Sequence, residues 1–292
     1  MQKLKWFRAA CALPLAIGQA ANALPTDRNE APPVEVAPVT QGSWYKPPVS
    51  ATWQWQLLVD DNHPLNTNYV ADIYNLDLFN TPAATISALQ AQDRKVICYF
   101  SAGSFENYRS DRHQFDRSEL GNGLEGWPKE RWLDIRSNNV RRIMTERLDL
   151  AAEKGCDAVE PDNVQGYLEP TGFDLSAEDQ LAYNRFIANQ ARQRGLGVGL
   201  KNDLEQVEAL VDYYDFSINE QCFQYNECDL LLPFIQAGKP VLHAEYPEED
   251  GGLSLSDRSV EGLCSAANKL QFSTLVLPVA LDDSFRVTCQ NQ

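Results

Sequence analysis

The stretch Asn138–Asn163, NNVRRIMTERLDLAAEKGCDAVEPDN, decides the fold. Val140, Ile143, Met144, Leu148 and Ala151 fall at helical spacing, so Asn138 to Lys154 reads as one helix with a single apolar stripe. Gly155 suits the left-handed residue that closes such a helix. Asp157 to Val159 then reads as a short buried strand. Glu160, Asp162 and Asn163 follow where that strand ends. Ionised side chains are costly to bury without partners. At the C-terminal end of a strand in an α/β protein, such groups can face a cleft and do chemistry.

The same unit recurs on both sides. Strands are expected at 53–58, 70–76, 95–100, 196–200, 214–218, 240–244 and 274–278. The run Lys95–Phe100, KVICYF, is continuously apolar, as a strand covered on both faces should be. Helical signals lie between most of these strands. Thr81 reads as an N-cap before Pro82, and Ser176 opens a helix that Gly195 closes. Further helices are expected at 204–213, 228–237 and 260–270. Strict alternation requires parallel strands joined by right-handed crossovers. Eight units in about 230 residues match a (β/α)8 TIM barrel in a single domain. A doubly wound sheet is the alternative. It would show a glycine-rich loop after the first strand, where this chain has Asp60-Asp61-Asn62.

Residues 1–23 read as a signal peptide. Lys3, Lys5 and Arg8 form its basic start, Ala9–Ile17 is apolar but too short to span a bilayer, and Ala21-Asn22-Ala23 fits small-residue cleavage. Residues 24–50 read as a proline-rich leader or linker, with the barrel domain at 51–292. An exported protein is expected, with no membrane partner. The formal charge is −16, and loss of the signal peptide's three cations takes it to −19. Such a surface repels nucleic acid and attracts a polycation.

Cys11 leaves with the signal peptide, so six cysteines remain. An even number in an exported chain argues for disulfides. Cys222 and Cys228 bracket a short loop after Glu220 and are expected to pair. Cys264–Cys289 would tie the last helix to the tail. Cys98 and Cys156 are left for the third bond, on neighbouring strands. His63, His113 and His243 are scattered, so neither a His-rich metal site nor a Ser-His-Asp triad is suggested.

If the strands form a barrel, their C-terminal ends make one rim. The rim inventory is Asp60, Asp72 with Asp77, Tyr99 with Ser101, Asp162 with Asn163, Lys201 with Asn202, Glu220 with Gln221, Glu245 with Tyr246, and Asp282 with Asp283. Acids and amides bind hydroxyl or amino groups, and rings stack on a pyranose face. Each acid alone has a structural explanation as a helix cap or ion pair. Two carboxylates at two strand ends are the minimum kit for cleaving a glycosidic bond. We therefore expect Asp162 and Glu220 to be catalytic. Substrate contacts are expected from Asp60, Asp72, Asp77, Tyr99, Glu160, Asn163, Lys201, Asn202, Gln221, Glu245 and Asp283. Lys201, the lone cation, would hold a neighbouring carboxylate ionised.

Seven strand-end motifs occur in order from Trp53 to Asp283. They are WQWQL at 53–57, YNLDLFNT at 74–81, ICYFSAGSFE at 97–106, CDAVEPDNVQGY at 156–167, GLKND at 199–203, NEQCFQYNEC at 219–228 and HAEYP at 243–247. Together they resemble glycoside hydrolase family 114, the endo-α-1,4-polygalactosaminidases and spherulin-4-like proteins. The resemblance implies a (β/α)8 barrel that cuts α-1,4-linked galactosamine polymers with no cofactor and with retention of configuration. It carries the catalytic roles onto Asp162 in EPDN and Glu220 in NEQC. The implied partner is a cationic polysaccharide, bound by a monomer. The competing readings are a non-catalytic carbohydrate-binding barrel and a metal-dependent deacetylase, the latter disfavoured by the lack of paired histidines.

Overall fold

A computed structural model describes residues 36–247 and 257–290; the expected signal peptide lies outside them. In chain order, the strands are β1 (Trp53–Gln56), β2 (Ile73–Asp77), β3 (Lys95–Ser101), β4 (Ser104–Glu106), β5 (Leu120–Leu124), β6 (Trp127–Leu133), β7 (Ala158–Asp162), β8 (Gly197–Lys201), β9 (Phe216–Glu220), β10 (Val241–Glu245), β11 (Ser273–Val276) and β12 (Val287–Thr288). The helices are α1 (Ala83–Gln90), α2 (Asn138–Lys154), α3 (Ala177–Gln193), α4 (Val207–Leu210), α5 (Cys222–Tyr225), α6 (Leu232–Gln236) and α7 (Asp257–Lys269).

Among the described residues, the main sheet runs β1-β2-β3-β7-β8-β9-β10-β11-β12. Every neighbouring pair is parallel except β11 with β12. The strand order is thus the chain order, as expected of a TIM-barrel-like sheet. β1 also meets β11, since the Trp53 indole donates to the Ser273 carbonyl at 2.8 Å and the Ser273 hydroxyl to the Ala51 carbonyl at 2.8 Å.

The period of two along each strand sorts its side chains. Trp53, Trp55, Ile73, Ile97, Ala158, Phe216, Ile218, Leu242, Ala244 and Leu275 pack together inside the curled sheet. The alternate positions Tyr74, Leu76, Val96, Cys98, Val159, Val198 and Leu200 pack outward against Ile86, Ile143, Met144, Leu148, Tyr183 and Ile187 of the helices. The inner face therefore continues through Asn75, Tyr99, Glu160, Asp162, Lys201 and Glu220. These polar residues extend the apolar inner cluster toward the strand ends.

Helix α2 has the expected bounds. Ser137 caps it, accepting from Asn139 N and Val140 N, and Gly155 closes it at φ +84°. Ser176 likewise caps α3. Thr81 does not cap α1. Pro82 takes that place, and Thr81 has its amide bonded to Asp77 O instead. The helix expected over 204–213 shortens to a 3-10 turn and α4, and that over 228–237 to a 3-10 turn and α6.

Three disulfides pair as expected. Their Cα separations are 6.0 Å for Cys98–Cys156, 4.8 Å for Cys222–Cys228 and 4.7 Å for Cys264–Cys289. Residues 36–50 contain no helix or strand, as their prolines dictate, yet they are not a free linker. Val39 N donates to Asn189 Oδ1 at 2.8 Å, and the Trp44 indole donates to Asp215 Oδ1 at 2.9 Å. The segment is strapped to α3 and to the approach to β9, because α3 offers Asn189 and Arg192 as partners for its backbone.

Between β3 and β7 the chain adds a small antiparallel sheet, β4-β6-β5. The sequence reading placed no strand in this region. It is secured by buried ion pairs: Arg109 contacts Asp77 at 2.6 Å and Glu106 at 2.7 Å, and Arg147 contacts Asp111 at 2.8 Å.

Candidate active site

Three consecutive parallel strands deliver the core of the site. β7 supplies Glu160 and Asp162 two residues apart, hence on one face. β8 ends in Lys201, and β9 ends in Glu220. All are at inward positions, so the barrel register alone brings them together. The Lys201 ammonium lies 2.9 Å from Glu220 Oε2, 3.2 Å from Asp162 Oδ1 and 3.6 Å from Glu160 Oε1. The Glu220 and Asp162 oxygens, at 2.9 Å and 3.2 Å from the same nitrogen, lie within 6.1 Å of each other.

Burial disfavours the Lys201 charge, but Asp162, Glu220 and Glu160 together outweigh it and raise its pKa. The ring of Trp55 lies 5.1 Å from the same nitrogen, a cation–π distance. Asp162 accepts from the Tyr99 hydroxyl at 3.0 Å and from Asn163 N at 2.7 Å. Glu220 accepts from the Tyr246 hydroxyl. Burial raises both phenols well above their ordinary range, and Asp162 for Tyr99 and Glu220 for Tyr246 reinforce it, so both stay protonated donors.

Glu160 differs from its neighbours. It is fully buried, accepts from Asn75 Nδ2 at 2.6 Å, and its pKa is pushed up to about 8, chiefly by burial. It is therefore a protonated group beneath the site at neutral pH. The expected substrate contact is corrected: no surface of Glu160 is open to a ligand.

Backbone geometry sets the rim. Asn163, Asn202 and Gln221, each directly after a site residue, have φ of +60°, +49° and +64°. Left-handed backbone costs about 1–3 kcal/mol at a non-glycine residue and gathers at functional sites. Asn202 repays part of it by accepting from Glu220 N at 3.0 Å and Asn219 Nδ2 at 3.1 Å, which fixes the end of β9. Gln221 bonds Gln224 at 2.7 Å and stays partly exposed.

The other expected contacts divide. Asp283 accepts from Gln54 at 2.9 Å and Asn66 at 2.7 Å, so it joins the β1 rim to the chain after β11. Asp60 is exposed and bonded to His63 Nδ1 at 2.9 Å, with the backbone of its own turn holding its pKa low. Asp72 does not reach the rim. It precedes β2, at the opposite end of the barrel, where it accepts from Thr52 N at 2.8 Å and Thr52 Oγ1 at 2.7 Å. Asp77 sits at the correct end but is buried and consumed by Arg109 and Asn80 N. Glu245 is at an outward position of β10 and buried. It accepts from Phe223 N at 2.8 Å and neighbours His243 Nε2 at 3.1 Å. It thereby holds the α5 loop that follows Glu220.

Asn75 and Trp55 were not among the expected contacts, and Tyr246 stood in the rim inventory with no contact assigned to it. Their inward parity on β1, β2 and just after β10 was the available signal. Among the described residues, Cys222, His243 and Glu245 place ligand atoms within 4.8 Å of one another. The Cys222 sulfur is already spent in the disulfide, so this set lacks a third donor for a metal.

A fixed cation shared by two half-buried carboxylates, with phenol and amide donors beside them, is an arrangement for acid–base and nucleophilic chemistry. The model of glycoside-hydrolase family GH114 matches residues 34–292. The crystal structure of Aspergillus fumigatus Ega3 in complex with galactosamine is similar, with 43% identity and a TM-score of 0.79, over 85% of this chain and 99% of that one. The glycoside hydrolase domain of PelA from Pseudomonas aeruginosa shares the fold, with 14% identity and a TM-score of 0.59, over 83% of this chain and 99% of that one. No curated protein matched the chain.

Proposed function

The chain belongs to glycoside-hydrolase family GH114, and on that premise we propose that it is an exported, endo-acting hydrolase of α-1,4-linked galactosamine polymers with Asp162 and Glu220 as its catalytic pair. The observation that carries the reading is the shared contact of both carboxylates with Lys201. Their contacting oxygens lie within 6.1 Å of each other. A retaining pair stands about 5–5.5 Å apart and an inverting pair about 6.5–9.5 Å; we assign retention on the family resemblance.

In this reading Asp162 is the nucleophile. Tyr99, Asn163 N and Lys201 aim three donors at it and keep its oxygens oriented. One Asp162 oxygen attacks the anomeric carbon while the bond to the glycosidic oxygen breaks. Glu220, on the longer arm, gives its proton to that leaving oxygen. The emptied Glu220 carboxylate then takes a proton from water, whose oxygen displaces Asp162 from the anomeric carbon. Two inversions give net retention. Lys201 transfers no proton. It offsets the charge of Asp162 before attack and that of Glu220 once its proton has gone.

The substrate class follows from three supports. A relative with 43% identity was crystallised with galactosamine. The chain carries a formal charge of −16. A partly de-N-acetylated polymer of N-acetylgalactosamine is a polycation that such a field attracts. Three disulfides favour an oxidising compartment, and among the described residues no helix is long and apolar enough to cross a membrane. The contacts between β1 and β11 support a closed barrel, which we read as a single domain acting as a monomer.

The test is product formation from partly de-N-acetylated α-1,4-galactosamine polymer. Oligosaccharides should appear equally with and without EDTA. Asp162→Asn and Glu220→Gln should each lose several orders of magnitude in rate while still folding and binding polymer. Azide should rescue the alanine variant of the nucleophile with inverted product, and that of the acid/base with retained product. Near-normal turnover in either amide variant would overturn the pair.

A further inference from the structure

The small antiparallel sheet holds a recess that the chemistry above does not use. Tyr108, Trp127, Pro128, Lys129 and Glu130 line it, and its volume is about 230 Å³. Trp127 is 53% exposed and Tyr108 is 50% exposed. Two large aromatic faces left in water on one recess mark a binding surface more readily than a single exposed ring does.

The recess is rigid. The Tyr108 hydroxyl donates to Glu106 at 2.9 Å and Glu130 at 3.1 Å, and the Arg109 guanidinium lies 5.1 Å from its ring. Trp127 opens β6 and precedes Pro128, which restricts its backbone to extended geometry. Glu130 is itself held by Ser104 Oγ at 2.7 Å. That hydroxyl is 3.4 Å from the side-chain amide of Asn163, the residue after Asp162. The recess is thus two hydrogen bonds away from the residue adjoining the catalytic pair. Lys129, the one cation of the lining, is exposed at its edge.

Two fixed aromatic faces suit a sugar ring. The C–H face of a pyranose packs on the rings, while its polar groups stay in water at the open side of the recess. We propose that this recess is a substrate subsite that stacks one amino-sugar unit of the polymer, outside the two units joined by the scissile bond. The proposal rests on the function argued above, and it explains why the chain builds a sheet between β3 and β7.

The experiment compares the wild type with Trp127→Ala and Trp127→Phe on de-N-acetylated α-1,4-galactosamine polymer and on oligomers of graded length. Trp127→Ala should raise KM for the polymer about tenfold with kcat unchanged. Trp127→Phe should restore most of the loss, and the shortest cleavable oligomers should not respond to either change. Unchanged KM at every length, or an equal fall in kcat at every length, would overturn the subsite while leaving the hydrolase intact. If the wild type cleaves no such polymer, the functional reading falls by itself, and calorimetric titration with the polymer decides the subsite. Binding weakened about tenfold by Trp127→Ala supports it; equal binding, or none by the wild type, overturns it.

Discussion

Glu160 shows how one side chain inherits its role from its depth. It shares the inner face of β7 with Asp162, but it is two residues, and so about 6.6 Å, further from the rim. Water reaches the second and not the first. Burial raises the Glu160 pKa to about 8, against an ordinary glutamate value of about 4.3 in the unfolded chain. The folded state therefore holds a proton that the unfolded state releases between those values. A raised folded pKa gives stability that is complete below the unfolded pKa and is lost as pH rises through the folded one. Wild-type stability should fall from about pH 5 to about pH 8 by this contribution. Glu160→Gln keeps the neutral shape and the bond to Asn75 but has nothing to titrate. The difference in Tm between Glu160→Gln and wild type should therefore grow in favour of the variant as pH rises across that window, and thermal melts would show it. A difference that is flat or grows the other way would mean that Glu160 is ionised in the fold. Lys201, raised rather than lowered, keeps its charge throughout the same window.

At the scale of elements, the ends of β3 and β7 are pressed together just where the chemistry sits. A Cβ on Gly103 would stand 1.8 Å from the Asn163 carbonyl oxygen, a backbone atom that cannot swing aside. Gly103→Ala must therefore push Asn163, and with it the amide that bonds Asp162. We expect at least a tenfold loss in kcat. Gly123→Ala, on β5 with its nearest neighbour 3.8 Å away, should stay near wild type, and kinetics of the two folded variants check this. A Gly103→Ala enzyme of normal kcat would mean that the β3–β7 contact does not position Asp162.

The same scale separates what was legible in the sequence from what was not. Helix α2, its glycine stop and strand β7 could be read because a continuous stripe and a buried strand leave strong periodic signals. Asp162 and Glu220, the proposed catalytic pair, could be placed because each ends such a strand. The β4–β6 sheet could not be read this way. LGNGL and WPKERWL are only partly buried, broken by glycine and proline, and shifted in register, so no alternation survives. Asp72, Asp77 and Glu245 failed for another reason. Proximity to a strand end does not say which end, which face, or whether an arginine has already claimed the acid. Parity along β10 would have separated Glu245 from Tyr246, since only one of two adjacent residues can face the barrel axis.

At the scale of the whole molecule, charge links the site to its substrate. With a formal net charge of −16, the chain surrounds a cleft whose open carboxylates, Asp162 and Glu220, are balanced by one buried ammonium. A polycationic chain approaching it feels the summed field before it feels any single contact. That field reaches about 30 Å at 0.01 M salt and about 8 Å at 0.15 M. Raising the salt should therefore lower kcat/KM on de-N-acetylated polymer several-fold, chiefly through KM, while kcat holds, because the bound catalytic groups are shielded by the protein. The fully N-acetylated polymer carries no ammonium groups, so whatever turnover it supports should be nearly insensitive to salt. Initial rates on the two polymers across that salt range give the comparison. Parallel salt curves would show that the acidic surface serves solubility and that discrimination for the amino sugar is made only by contacts inside the cleft.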